Sequence, residues 1–316
     1  MVNTNQEKYK QICEQAGEEI PLFAQHWWWE AATRAENKTW DVLFCHNAEN
    51  EIVGAMPYLL VRKWGMRFIL LPQLTQYTHI WTAPQLSPTQ QTEVYRNLAA
   101  QIKKINPTYC SLHFTPGTNT YKVFSEAGFT TKERHTYRIN DLDSPIEVIQ
   151  NRCSKSKRRR FNKSEHLIVN FNLSEKEYYA FHKKCLSLRD KTISYSPKLF
   201  FSLFEKAKSQ QQGQIIAIRS NTDNRLLAAD FVVWDKNFLY YLDTSFDIHH
   251  NDTGAMIRLT LETIRFAQTK SKHFDFEGSM IPGVAIYNQE FGGTKTIYYG
   301  VERFGNPIVK YLWKLR

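Results

Sequence analysis

The chain lacks the short motifs that would fix a reaction at once. It holds no G-x-S-x-G, no H-E-x-x-H, no phosphate-binding G-x-x-x-x-G-K-[ST] and no dinucleotide G-x-G-x-x-G. Hydrolase, metalloprotease, kinase and dehydrogenase readings lose their usual support. Cysteine is scarce too: Cys13, Cys45, Cys110, Cys153 and Cys185 are odd in number, scattered, and form no C-x-x-C pair. That argues against a disulfide framework or a metal site and for reduced thiols in a cytosolic protein. No apolar run approaches the roughly 20 residues that span a bilayer. The N-terminal "MVNTNQEKYKQICEQAGEE" has no apolar signal core. The expectation is a cytoplasmic protein without a transmembrane segment, with peripheral association at a membrane surface left open.

Aromatic and basic residues, by contrast, are abundant. There are 20 Phe, 16 Tyr and 8 Trp, which suits packed sheets and grooves. The formal charge of +10 favours anionic partners: phosphorylated cofactors, nucleic acid or anionic lipid. The charge concentrates in "RCSKSKRRRFNK" (Arg152–Lys163), which contains no acid. One reading is an anion-binding edge, with Arg158 and Arg159 meeting donor phosphates; the other is a solvated helix face. Zinc-finger spacing and an RRM signature are both missing, so no sequence-specific DNA contact is expected.

The element order is stated twice. "PLFAQHWWWEAATRA" reads as an aromatic-faced helix. "WDVLFCHNAENEIVGAMPYLLVRK" reads as strand, polar turn and strand, and "RFILLP" as a further strand. A Pro/Thr/Gln-rich loop follows, then a helix after the N-cap Ser87, strand "YCSLHF", short helix "NTYKVFSEAGF" and strand "TTKERHTYRIN". The second half repeats this from "SPKLFFSLFEKAKSQ", through "QIIAIRSNTDNRLLAADFVVW" and "FLYYLDTSF", to helix "TGAMIRLTLETIRFAQTK", strand "HFDFEG" and "TKTIYYGVERF". The break should fall near Ile139–Glu147, giving units 1–140 and 141–316.

This order, with "LLAADFVVW", "YYLDTSFD", "NDTGAMIRLTLETIRFA" and "FDFEGS…GVAIYNQEFGGTKTIYY", resembles the Fem-like branch of the GNAT acyltransferase superfamily. The resemblance covers nearly the whole chain. It implies an α/β (α+β) fold of two tandem GNAT-like units, each a mixed, mostly antiparallel sheet flanked by helices. The first unit would be structural or face the acceptor, and the second would hold the donor. The implied activity is transfer of an acyl group, such as acetyl, from acyl-coenzyme A to an amine of a small molecule or cell-envelope precursor. A Fem-type transferase using aminoacyl-tRNA in peptidoglycan synthesis, and a non-catalytic binder of an anionic ligand, are the alternatives. "HHNDTGA" stands where relatives carry their cofactor turn, so only Gly254 and Ala255 correspond. Asn288 stands where the tRNA-dependent members carry a lysine. "LPQLTQYTHIWTAP" resembles the first-unit loop that faces substrate, which puts Gln76, Tyr77 and His79 at the acceptor.

Three groups of residues are candidates for chemistry. At the loop-to-helix junction, Asn251, Thr253, Gly254 and Ala255 could present free N–H groups to a phosphate. Along "HFDFEG", period-two geometry puts His273, Asp275 and Glu277 on one strand face. Acyl transfer to an ammonium needs a proton acceptor; Glu277 is the first choice, Asp275 the second and Asp243 the third. Structural roles compete: Asp275 capping a turn, and Glu277 pairing with a Lys or Arg. Tyr287 could protonate a leaving thiol or alcohol, or sit in the core. The first copy carries Ser111 and His113 where the second carries Asp275 and Glu277.

Overall fold

The computed structural model describes residues 4–278, 280–306 and 310. It divides into two compact units. Met1–Arg134 and the chain from Ile297 form the first, and His135–Thr296 the second.

In the first unit, α1 (Thr4–Ala16) and α2 (His26–Arg34) precede the hairpin β1 (Trp40–His46) and β2 (Ile52–Lys63). Trp28 and Trp29 of α2 are fully buried, while Trp27 is only partly so. Helical geometry cannot turn three consecutive rings to one side. The hairpin turns at "NAEN", with Asn50 left-handed at φ 62. Then come β3 (Met66–Leu70), the short β4 (Trp81–Thr82) and α3 (Pro88–Ile105). Ser87 and Gln90 form a capping box at the start of α3, Pro88 fits its first turn, and left-handed Asn106 ends it. The buried face of α3 (Val94, Leu98, Ala99, Ile102) packs on the sheet. Gly54 of β2 permits the approach, because a Cβ there would lie 2.2 Å from Val94 Cγ1. The unit closes with β5 (Tyr109–His113), α4 (Thr120–Glu126) and the start of β6 (Thr130–Ile139).

The second unit begins within β6 and continues with α5 (Ile146–Arg152), the basic α6 (Lys155–Lys163), β7 (Ile168–Asn170) and α7 (Glu175–Ser187). Next are α8 (Pro197–Ser209), β8 (Gly213–Arg219), β9 (Leu226–Trp234) and β10 (Phe238–Phe246). A 3-10 turn (Ile248–Thr253) leads into α9 (Ala255–Gln268), then β11 (His273–Asp275), α10 (Pro282–Glu290) and β12 (Thr294–Phe304). Strands run β6-β11-β10-β9-β8-β7, all antiparallel except β10 with β11. α9 covers one face, where Thr263 meets Asp230 and Tyr241 meets Thr260. α8 covers the other, with Phe200 and Phe204 against Phe231.

The first unit repeats the plan as β1-β2-β3-β5-β12, with β3 and β5 as its parallel pair. The division differs from 1–140 and 141–316 in its C-terminal strand. Gly300–Phe304 pairs with Tyr109–His113, so this part of β12 belongs to the first unit. Such long-range pairing leaves no local mark in sequence. No described helix is long and apolar enough to cross a membrane.

Candidate functional site

The parallel pair of the second unit forms a fork. β10 and β11 are in register at Phe238↔His273, Leu239↔Phe274 and Tyr240↔Asp275. There β11 ends, while β10 runs on to Phe246. Just past the parting, β10 carries a bulge: Tyr240 pairs with Val233, but Asp243 pairs with Phe231. One extra residue reverses the alternation. Tyr241 therefore faces α9, its hydroxyl 3.2 Å from Thr260 Oγ1, while Asp243 faces α7.

Asp243 gathers a polar cluster that sequence reasoning did not find. His182 Nε2 of α7 lies 3.5 Å from Asp243 Oδ2, and the Tyr195 hydroxyl donates to the same oxygen. The Tyr178 hydroxyl donates to the Asp243 carbonyl at 2.9 Å, and His182 Nδ1 lies 2.6 Å from Ser245 Oγ. Burial raises the Asp243 pKa, opposed first by His182. Burial likewise lowers that of His182, opposed by Asp243. Low dielectric thus favours the neutral form of each. The Asp243 side chain keeps 14% of its surface accessible and His182 only 6%, so the carboxyl is the member that can meet a ligand.

Asp275 and Glu277 flank the fork from the other prong, in different environments. Asp275 is buried and saturated. Arg138 Nε donates to it at 2.7 Å, Thr136 Oγ1 donates to its other oxygen, and the Glu277 N–H reaches that oxygen at 3.0 Å. Its role is to hold this corner together. Glu277 does not continue the strand face expected from period two. β11 stops at Asp275, and Glu277 is left-handed at φ 57. The N–H bond to the Asp275 carboxylate compensates for that conformation. Burial, and then the Asp275 charge, push the Glu277 pKa well above the ordinary carboxylate range, with Arg138 pulling the other way. The residue remains partly accessible. It combines reach with raised proton affinity, as a general base requires.

The loop-to-helix junction is tightly packed. Gly254 is left-handed at φ 78, and a Cβ on it would lie 2.9 Å from the Arg160 carbonyl. Thr253 Oγ1 accepts the Ala255 N–H at 3.3 Å, and Gly254 and Ala255 are buried. Asn251 is exposed, and its carbonyl accepts from Arg160. In α6, Arg158 turns back onto the Asn151 and Cys153 carbonyls at 2.5 and 3.0 Å, while Arg159 is exposed. Tyr287 bonds Thr260 Oγ1 at 2.8 Å and the Met256 carbonyl at 3.2 Å, which ties α10 to the first two turns of α9. Asn288 is buried beside it, and its Nδ2 has no hydrogen-bond partner among the described residues.

Gln76, Tyr77 and His79 surround Thr78, which enters beside the end of β5. The Thr78 N–H donates to the His113 carbonyl at 2.8 Å, and its own carbonyl accepts the Thr115 N–H at 3.3 Å. The Gln76 carbonyl lies 3.2 Å from His113 Nδ1, Tyr77 packs edge-on to Phe23, and His79 Nδ1 lies 3.3 Å from Thr115 Oγ1. Burial lowers both His79 and His113 to about 4.

The structure thus brings Glu277, Asp275 and Asp243 to one fork. It keeps Tyr287, Asn288 and the α9 junction with the helices on the opposite sheet face, and Gln76, Tyr77 and His79 in the first unit. His182, Tyr195, Thr136 and Arg138 escaped sequence reasoning because their partners lie dozens of residues away. His182 looks like any polar position in "EYYAFHKKCLS".

The chain matches no protein-family model and no curated protein. Solved structures do resemble it. FemX is 11% identical with a TM-score of 0.67, covering 95% of this chain and 96% of its own. The tandem GNAT protein from the clavulanic acid biosynthesis pathway is 9% identical with a TM-score of 0.60, covering 96% and 95%. L-PGS from Bacillus licheniformis is 10% identical with a TM-score of 0.56, covering 98% and 95%. This chain therefore has the Fem-like, two-unit GNAT fold.

Proposed function

We propose that the protein is an N-acyltransferase that takes an acyl group from acyl-coenzyme A and places it on the amine of a small molecule or cell-envelope precursor. One observation carries the reading: β10 and β11 part where two carboxyls of raised pKa, Asp243 and Glu277, stand on opposite prongs. The FemX-like and tandem-GNAT folds agree with it. The second unit is assigned the donor, and the first a structural or acceptor-side role. The activity is placed in the cytoplasm, where the donor is made.

The donor supplies an activated thioester. The chain's own residues do the rest by positioning, charge stabilisation and removal of one proton. Backbone N–H groups of β10 beyond Tyr240, out of register with β11, can pair with an extended ligand and polarise its carbonyl. Asn251 and Arg159, both exposed, are the groups left for phosphates, because the first N–H of α9 is already capped. Glu277 accepts the proton that the incoming ammonium must lose. The amine nitrogen then bonds the acyl carbon, the carbon–sulfur bond breaks, and the second proton shed by that nitrogen passes to the departing sulfur, which leaves as a thiol. Asp275, fixed by Arg138 and Thr136, orients Glu277 through its N–H. Asp243, with His182 and Tyr195, offers a polar wall for the amine. Aminoacyl-tRNA is the less favoured donor, because Asn288 is buried where tRNA-dependent relatives carry lysine.

Titration calorimetry with acetyl- and longer acyl-coenzyme A tests the donor. Saturable binding, followed by thiol release on addition of an amine panel, supports the reading. Absence of binding to every acyl-coenzyme A overturns it.

A further inference from the structure

We propose that the second unit docks on an anionic bilayer surface through the apolar entry to α10, Met280 to Ile286, and the outward face of α6. The apolar half of this surface is unusual for a globular domain. Met280, Ile281, Val284 and Ile286 are 58%, 57%, 41% and 58% exposed, within seven consecutive residues. Single exposed apolar residues need no explanation, but a contiguous group of large ones marks an interaction site. The other end of α10 is firmly anchored. Tyr287 is tied to α9, Lys157 Nζ lies 3.2 Å from Glu290 and 4.1 Å from the Tyr287 ring centroid, and the Ser154 N–H bonds the Glu290 carbonyl at 2.8 Å. The apolar turn thus projects from a rigid base.

The second half is charge. α6 contains no acid in its nine residues. Its inward face is used by Lys157 and Phe161, while Arg158 and Arg160 bond backbone carbonyls. Lys155, Arg159 and Lys163 recur every four residues and are all exposed. They form no ion pair among the described residues. α6 packs on α10 through Lys157, so the basic stripe and the apolar turn belong to one helical layer. Apolar side chains that enter the headgroup boundary beside lysine and arginine are the chemistry of interfacial attachment to anionic lipid. The charge selects the occupant: a second copy of this chain would bring the same basic stripe and repel it.

Sedimentation of the full chain with vesicles tests this without any activity measurement. The protein should pellet with mixed phosphatidylcholine and phosphatidylglycerol vesicles, not with phosphatidylcholine alone, and added salt should release it. Lys155→Gln, Arg159→Gln and Lys163→Gln together should weaken binding about a hundredfold. Ile281→Ser, Val284→Ser and Ile286→Ser together should weaken it at least about tenfold. Failure of the wild-type chain to pellet, equal binding to neutral vesicles, or wild-type affinity in either triple variant overturns the proposal. So does a concentration-dependent dimer that the apolar variant abolishes, or tRNA binding lost in the α6 variant without any vesicle binding. The wild-type vesicle comparison decides the matter even if a variant folds poorly.

Discussion

Among the described residues each unit has one parallel strand pair, and each pair parts after a short register: β10 with β11 in the second unit, β3 with β5 in the first. In the first unit the chain fills its own fork. Thr78 returns beside β5, pairs in parallel with Phe114, and donates its hydroxyl to the Pro57 carbonyl at 3.1 Å. In the second unit the chain leaves β10 for a 3-10 turn and α9, and no described segment pairs with the β11 side of β10 beyond Tyr240. The acids follow the same division. Asp275 and Glu277 line the second fork, where the first copy has Ser111 and His113. The plugged fork has its strand edge already paired, while the fork edged by carboxyls is the one we propose for the ligand.

The largest predicted effect separates the forks by activity. Glu277→Gln should lower kcat by about a hundred- to ten-thousandfold, the usual worth of a positioned base. His113→Gln, in the other fork, should leave kcat unchanged. Steady-state kinetics on both variants checks this. Equal losses in the two would erase the functional asymmetry.

Next in size is the corner that supports Glu277. Asp275→Asn removes the buried carboxylate that Arg138 meets at 2.7 Å and should cost about 3–5 kcal/mol in denaturant unfolding. An unchanged unfolding midpoint would mean that Asp275 does not clamp this corner.

Smaller is the plug itself. Thr78→Val keeps the backbone pairing but removes a buried hydroxyl donor from the Pro57 carbonyl. The expected loss is about 1–3 kcal/mol, read by the same unfolding measurement. Acyl-coenzyme A affinity should not change. A changed affinity with unaltered stability would put ligand in the first fork instead.

Acid probes the same fork through protonation. His79 and His113 are held at about 4 by burial, against an ordinary 6.5. Below 6.5 the unfolded chain binds protons that the folded chain refuses, so stability should fall as pH drops from about 6.5 to about 4. Paired His79→Asn and His113→Asn substitutions should flatten that slope in unfolding measured across the same range. An unaltered slope would contradict neutral, buried imidazoles.

The repeated fold was legible because periodicity, caps and turns are local. Ser87 before Pro88, "NAEN" and "NTDN" mark element ends without tertiary help. The acids of β11 and β10 were legible as chemistry-bearing residues near a strand end. Their geometry was not. The bulge that swings Asp243 toward His182 adds one residue relative to a partner strand, and a single strand read alone cannot show it. The left-handed turn at Glu277 breaks the period-two rule for the same reason: its support comes from the Asp275 side chain, held by Arg138 across the sheet. Gln76, Tyr77 and His79 read as substrate contacts because polar and aromatic residues in a Pro-bounded loop fit that role. The strand-like pairing of their neighbour Thr78 was not legible, because it joins residues more than thirty apart.

Hydrogen exchange with and without acetyl-coenzyme A most directly tests the claim that the second fork is the donor site. Protection should rise in Tyr241–Phe246 and Phe276–Gly278, with Gln76–His79 and His113–Thr115 unchanged. Protection confined to the first fork, or no ligand-dependent change in either, would contradict it.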